Sequence, residues 1–186
     1  LGVTKHIYDD HLRLVEEADP LNYSIKYTYD SNHNRVEIVD KNGNKTIYSY
    51  DPMGNVTSKT DALNNVTGIT YDASNNPLTR IEAVGTTLER TSTFEYDASG
   101  NLIKASDPLG NFTAITYDVD GLPLTITDPM ENTTSNAYNT QGNLIEVTNA
   151  HGRKTKYTYD VVGKRVSVKD ARGYSTAYTY ESNDNL

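Results

Sequence analysis

The chain has 186 residues, a formal net charge of −8 and no cysteine. Without cysteine it has no disulfides and no cysteine-ligated zinc, and its negative charge makes a nucleic-acid backbone an unfavourable partner. The sequence contains no apolar run long enough for a transmembrane helix, and no signal peptide is visible. Only 35% of residues are hydrophobic, enough for one half-buried sheet face but too little for a thick core. We therefore expect a thin, β-rich layer.

A tyrosine followed by Asp, Asn or Glu recurs at regular intervals along the chain. Seven of the eight spacings are 21 residues, and the spacing from Tyr71 to Tyr96 is 25. A fixed period of this length is typical of stacked repeats that pack only against their neighbours. We predict a single array over residues 1–186, with about eight repeats, in a piece of a longer protein. The repeat tyrosines are Tyr8, Tyr29, Tyr50, Tyr71, Tyr96, Tyr117, Tyr138, Tyr159 and Tyr180.

The first unit, from Tyr8 to Arg13, differs from the others because Leu12 stands where glycine is expected. We expect this unit to be an edge of the array or a differently shaped entry into it.

The segments that end at the repeat tyrosines alternate in character, as in residues 26–29 and 46–50. Alternation of aromatic and β-branched residues predicts strands, with both tyrosines of a segment on one face. Segments such as 36–38 and 124–126 alternate as well. Each repeat is therefore predicted as strand–turn–strand–turn, and neighbouring strands should run antiparallel. Rows of tyrosines are expected to stack on one another across the sheet.

Two turns divide each repeat, as the segment from Tyr96 to Tyr117 illustrates. The first begins at Asp97, whose carboxylate can accept a hydrogen bond from the backbone two residues on, and it closes at Gly100 as a bulged hairpin loop. The second, residues 107–110, has proline where a type I turn needs a fixed φ and glycine where the chain reverses. Glycines assigned to these turns include Gly54, Gly100, Gly110, Gly142 and Gly163.

Two second turns are exceptions to this pattern. Glu131 stands at a position where other repeats carry glycine or asparagine, so a different loop is expected there. The turn at residues 82–90 holds the four extra residues, and an insertion at a turn should leave the strand register intact. A neutral variation in length is the simplest interpretation of this insertion.

Most of the acidic residues stand at the turn positions of the repeats and are not gathered at one candidate site. Of the 25 acidic residues, 15 fall at the two turn positions, and these include Glu82 and Glu181. Repeated carboxylates in similar surroundings do not favour separate acid and base roles, and turn capping is favoured over calcium binding. Of the four histidines, only His6 and His11 are close in sequence, which is a weak basis for a metal site. We predict no catalytic residues, cofactor or metal.

The segments YDPMGNV at 50–56 and YDASGNL at 96–102 resemble the tyrosine–aspartate (YD) repeat of the Rhs family. The resemblance covers residues 8–186. It implies an all-β, antiparallel hairpin array that spirals into a hollow shell, as in bacterial Rhs toxins, wall-associated proteins, insecticidal toxin complexes and teneurins. Family toxins also cleave themselves after the shell; residues 107–110 are only superficially similar to that region, so this activity is not transferred.

Two functions follow from these patterns. The first is a non-enzymatic shell segment of an exported bacterial protein, secreted or at the cell surface, which encloses a C-terminal toxin or effector. The alternative is a cell-surface adhesion or carbohydrate-binding module, whose exposed tyrosines would stack on sugars.

Overall fold

The computed structural model describes residues 3–180, and its regular structure is entirely β. The 17 strands form an antiparallel sheet, which confirms the predicted hairpin fold, and no helix capable of crossing a membrane occurs in the described chain. The chain divides into two compact units, residues 1–93 and 94–186.

Unit 1 contains eight complete strands and the start of a ninth. These are β1 (Lys5–Tyr8), β2 (Leu14–Ala18), β3 (Ser24–Tyr29), β4 (Arg35–Val39), β5 (Lys45–Tyr50), β6 (Val56–Thr60), β7 (Val66–Tyr71), β8 (Pro77–Glu82) and β9 (Arg90–Tyr96).

Unit 2 contains the end of β9 and eight further strands. These are β10 (Leu102–Ser106), β11 (Phe112–Tyr117), β12 (Pro123–Thr127), β13 (Thr133–Tyr138), β14 (Leu144–Thr148), β15 (Lys154–Tyr159), β16 (Arg165–Lys169) and β17 (Ser175–Ala177). In both units, successive strands pair as hairpins.

A β-bulge accompanies the first turn of each hairpin that ends at a repeat tyrosine. Thr116 pairs with Thr125 and Tyr117 with Pro123, so Leu124 has no partner of its own. The same shift recurs wherever the register of such a hairpin is defined. Pairings across the second turn, such as Ser106 with Phe112, are regular. A bulge disrupts the ladder locally, which releases backbone groups for other partners.

The two faces of the sheet differ in chemistry. The tyrosine face carries the repeat tyrosines and the residues two and four positions before them; the threonine face carries the residues between. Along β5, Tyr48 and Tyr50 are half-buried on the tyrosine face, whereas Ile47 and Ser49 are exposed on the other. The prediction that both tyrosines share a face is confirmed. On the threonine face of neighbouring strands, hydroxyl pairs such as Thr116–Thr125 lie 2.6 Å apart.

The sheet has almost no buried core. Within residues 3–180, Ala18 is the one residue that counts as buried, and it retains 9% exposure. Such a layer cannot rely on the usual burial of large apolar side chains. Its stability must come from neighbour contacts along the sheet and in the loops.

The five-residue loops within residues 3–180 share one conformation, which corrects the expectations of two kinds of turn and of a different loop at Glu131. For the first unit it excludes a differently shaped loop and leaves the alternative of an edge. In loops 97–101 and 107–111 alike, the first and fifth residues are joined by an N–H to carbonyl bond, and the fourth donates its N–H to the first carbonyl. The two turns are therefore the same loop rather than two kinds. Leu12 and Glu131 also adopt it, with φ of 61° and 63°. Strand pairing on both sides imposes the positive φ on these two side chains.

The insertion folds onto unit 1. The pairing of β8 with β9 keeps its register, as predicted for an insertion at a turn. Val84 donates its N–H to the carbonyl of Val66 at 3.0 Å, and its side chain lies where a Cβ on Gly68 would meet it at 3.4 Å. Val84 thus lies against the backbone at Gly68, and this position is the seat of the insertion.

Candidate functional site: the tyrosine ladder

Successive hairpins are joined by the hydroxyls of the repeat tyrosines. Tyr50 donates to the carbonyl of Arg35 at 2.9 Å, and Tyr159 donates to the carbonyl of Leu144 at 2.8 Å. The acceptor lies 15 residues upstream in each such bond, within the preceding hairpin. The same bond is made by Tyr29, Tyr71, Tyr117, Tyr138 and Tyr180.

The acceptor position explains why this bond repeats. Arg35 is the residue opposite Tyr29 at the bulge of its own hairpin. Because the ladder is disrupted there, its carbonyl can accept the hydroxyl from the next repeat. Desolvation raises the pKa of Tyr50, so the neutral phenol that donates this bond is the stable form.

The stacking of tyrosine rings that the sequence predicts, in contrast, is not what connects neighbouring repeats. Tyr96 aside, no two tyrosine rings are in contact within either unit of residues 3–180. Cations cover some rings instead: the guanidinium of Arg35 lies 4.7 Å from the centre of the Tyr27 ring, and that of Arg165 lies 5.2 Å from Tyr178. The hydroxyl bond and these cation–π contacts replace the expected stacking.

Within residues 3–180, each five-residue loop is capped by its first residue. In loop 97–101, Oδ1 of Asp97 accepts the backbone N–H groups of Ser99 and Asn101, both at 2.9 Å, and Oδ2 accepts the Asn101 amide at 3.0 Å. The side-chain bond from Asn101 is the largest cause that lowers the pKa of Asp97, followed by the backbone bonds. Asn139 and Asn149 cap their loops without a charge. The acidic residues at these positions therefore serve as loop caps, as the sequence predicts.

One of the predicted turn acids, Glu82, differs from this picture. Glu82 ends β8 and pairs with Arg80 at 3.1 Å and Arg90 at 3.6 Å, so it does not cap a loop. The cap of the insertion is Glu89, whose carboxylate accepts the N–H of Gly85 at 2.8 Å. The sequence missed this because the insertion moves the capping role seven residues along the chain. Glu181 lies outside the described residues.

First-turn loops of neighbouring repeats touch where the fifth residue of one loop meets the fourth residue of the next loop. The Asn55 amide donates to Oδ1 of Asn75 at 2.8 Å, and Oδ1 of Asn101 would lie 3.6 Å from a Cβ on Gly121. These contacts form a second line between repeats, parallel to the tyrosine bonds. The sequence of a single repeat does not predict these contacts, because they join residues of different repeats.

The glycines and tyrosines predicted as structural repeat residues occupy equivalent positions in successive repeats. Gly54, Gly100, Gly110, Gly142 and Gly163 all have φ between 79° and 88° in their loops. The tyrosines are half-buried on one face, except that Tyr8 at the start of the described array is 56% exposed. Tyr96 makes a contact as well. We infer that this set is structural.

The histidines are arranged differently from the sequence expectation. His11 lies beside His33, with ring centres 5.4 Å apart, rather than beside His6, which faces Glu17 at 3.7 Å. A fold that places equivalent loops side by side brings residues about 21 positions apart into contact. No group of three or more metal-ligating side chains occurs within residues 3–180.

A sequence model of the teneurin YD-shell family matches residues 3–186. This chain belongs to the teneurin YD-shell family. The match includes the tyrosine–aspartate repeats on which the ladder is built, and it confirms the resemblance seen in the sequence. Membership of this family indicates a structural role in a shell.

Solved structures with the same fold are toxin-complex proteins. The TcdB2-TccC3-TEV crystal structure is 16% identical with a TM-score of 0.81, over 98% of this chain and 11% of that one. The TcdB2-TccC3 structure is 17% identical with a TM-score of 0.61, over 97% and 12%. The Photorhabdus luminescens Tc holotoxin pore is 18% identical with a TM-score of 0.61, again over 97% and 12%. The YD-shell chain thus spans about a tenth of these chains. No curated protein matches its sequence.

Proposed function

We propose that this chain is a wall segment of a shell, in an exported protein, that encloses a toxin or effector polypeptide located C-terminal to the repeats. Membership of the YD-shell family and the fold shared with toxin-complex proteins support this role. The observation that carries it is the hydroxyl bond to the preceding hairpin that seven of the repeat tyrosines make within residues 3–180, as from Tyr117 to Leu102. It allows a sheet with hardly any core to be extended repeat by repeat, which is what a thin wall requires.

The loop chemistry is consistent with a wall rather than an enzyme. A hydrolytic pair needs two carboxylates in different environments within several ångströms. Here Asp97 and Asp107 carry the same hydrogen bonds from equivalent loop residues. In both carboxylates one oxygen already accepts backbone N–H groups and the other accepts an asparagine amide, which favours a structural role.

The glycan-binding alternative would need exposed aromatic rings. The ladder tyrosines are half-buried, and their hydroxyls are engaged in the inter-repeat bonds. Tyr23 and Tyr174, in second-turn loops, are 57% and 74% exposed. Saturable binding on a glycan array that is lost in Tyr23→Ala and Tyr174→Ala would replace the shell proposal with this one.

The enclosure is tested in the parent gene and its product. We expect the reading frame to continue beyond Leu186 into a variable effector domain, and we expect that domain to resist protease in the intact protein. Proteolysis followed by mass spectrometry gives the cleavage rate of the downstream segment with and without the repeats. A stop codon soon after Leu186, or equal cleavage rates in both proteins, would overturn the proposal.

A further inference from the structure

Neighbouring second-turn loops in unit 2 leave a cleft between them. The cleft lies between loops 149–153 and 170–174 and has a volume of about 590 Å³. It is lined by Asn149, Arg153, Thr155, Asp170, Ala171 and Arg172.

Unit 1 contains the equivalent cleft. It lies between loops 40–44 and 61–65, with a volume of about 440 Å³. Six of its lining residues occupy the same loop and strand positions as the six in unit 2. They are Asp40, Asn44, Thr46, Asp61, Ala62 and Leu63. The two clefts are therefore formed by equivalent backbone positions and differ in the side chains that line them.

The linings differ in the sign of their charge. Three of the six positions change: Asp40 corresponds to Asn149, Asn44 to Arg153, and Leu63 to Arg172. The unit 1 cleft has two carboxylates and no cation among these positions, whereas the unit 2 cleft has two guanidinium groups and one carboxylate. This reversal occurs in a chain with a net charge of −8.

The two guanidinium groups are available to a ligand. Arg153 and Arg172 are exposed, and neither has an ion-pair partner within the described chain. The remaining carboxylate is partly committed, because Oδ1 of Asp170 accepts the N–H groups of Arg172 and Tyr174 at 2.9 and 2.8 Å. Asn149 retains the loop cap through its amide oxygen, without adding negative charge.

We propose that the cleft between loops 149–153 and 170–174 binds a ligand through an oxyanion, namely a carboxylate, sulfate or phosphate group. Two planar guanidinium forks on opposite loops can each offer paired N–H donors to such a group. The site does not depend on the enclosure of an effector. The unit 1 cleft, with its carboxylates, should repel the same ligand.

Isothermal titration calorimetry at low ionic strength tests the site, with inorganic sulfate, inorganic phosphate and glucuronate as separate probes and sodium chloride as the blank. We expect one site per chain, and the probe that binds most tightly identifies the oxyanion. The double variant Arg153→Asn and Arg172→Leu should bind at least tenfold more weakly. It should fold normally, since Asn44 and Leu63 occupy these positions in unit 1.

A control variant removes the same charge elsewhere. Lys5→Asn with Lys26→Leu, on exposed strand positions, should leave the affinity within twofold of the unchanged protein. Conversely, Asp40→Asn with Asn44→Arg and Leu63→Arg should raise the stoichiometry from one site to two. Equal losses in the two charge-removing variants, no binding of any probe, or a stoichiometry that stays at one after the transplant would overturn the proposal.

Discussion

The hydroxyl of Tyr50 donates to the backbone carbonyl of Arg35 at 2.9 Å, while the guanidinium of Arg35 lies over the ring of Tyr27. One residue thus anchors the following repeat through its backbone and covers a tyrosine of its own hairpin through its side chain. Because the bond is to backbone, the side chain at the acceptor position can vary. Leu, Arg, Val and Pro all occur there, as in Leu14, Arg35, Val56 and Pro123.

Removal of the Tyr50 hydroxyl should weaken the array. The substitution Tyr50→Phe retains the ring and loses one hydrogen bond, so the free energy of unfolding should fall by about 1 kcal/mol. Urea denaturation measures this change. The control is Tyr48→Phe, on the same strand and face, for which no hydroxyl bond was found within the described residues. That variant should change stability by less than about 0.5 kcal/mol; equal losses would show that the hydroxyl bond contributes nothing specific.

Glu131→Gly should stabilise the protein. Glu131 is held at φ 63° in a loop that other repeats close with glycine or asparagine. The left-handed region costs a residue with a side chain roughly 1–2 kcal/mol, and the greater freedom of glycine in the unfolded chain offsets part of this gain. Thermal or urea unfolding should show a gain of about 0.5–1 kcal/mol.

The reverse change at the preceding second turn is the matched comparison. Gly110 has φ 85°, and nothing lies within 4 Å of a Cβ added there. Gly110→Ala should therefore be destabilising through the backbone alone, by about 1 kcal/mol. A neutral Gly110→Ala would mean that the loop tolerates either residue, and the prediction for Glu131 would fail with it.

Acid should destabilise the array through its loop caps. The Asn101 side-chain bond first, then the backbone N–H bonds, hold the pKa of Asp97 below its ordinary value, and Asn44 does the same for Asp40. A lowered folded pKa means that this stability is complete above the unfolded pKa near 4 and is lost as the pH falls through the folded values. The melting temperature should be flat from about pH 7 to 5 and decrease below about pH 4.

The substitution Asp97→Asn keeps an oxygen that can cap the loop and removes the negative charge. Asn139 shows that an amide oxygen accepts the same two backbone N–H groups. The variant should therefore fold normally and have a shallower loss of melting temperature below about pH 4. A pH profile identical to that of the unchanged protein would show that Asp97 makes no contribution to the acid response.

The seat of the insertion can be tested through Gly68. The Cβ of Ala at this position would lie 3.4 Å from Val84, an ordinary contact, so Gly68→Ala should be tolerated. Gly68→Ile should collide with Val84 and cost roughly 1–3 kcal/mol. Addition of Val84→Ala should recover most of that loss in a double-mutant cycle. Additive effects of the two substitutions would indicate that Val84 does not occupy this seat in solution.

Most of the fold could be predicted from the sequence because the determinants of each element are local. Alternation fixes the strands, and the Asp and Gly positions fix the loops, as at Asp97 and Gly100. The tyrosine positions also indicate a shared face. The acceptor of each hydroxyl could not be predicted, because the carbonyl of Arg35 becomes available only through a bulge formed with Tyr29.

Other features could not be predicted because they arise between repeats. Glu131 was expected to break the loop pattern, but the paired strands impose the loop on it. Arg153 and Arg172 lie 19 residues apart and meet only because equivalent loops stand side by side. Comparison of equivalent positions across repeats, rather than inspection of one repeat, is the signal that would have found this cleft.

Site-resolved hydrogen exchange on Tyr50→Phe tests most directly whether the tyrosine hydroxyls join neighbouring hairpins. If each repeat depends only on its neighbours, protection should fall in β3–β6 and remain unchanged in unit 2. Uniform loss of protection across the chain, or no loss in β3–β6, would contradict the account.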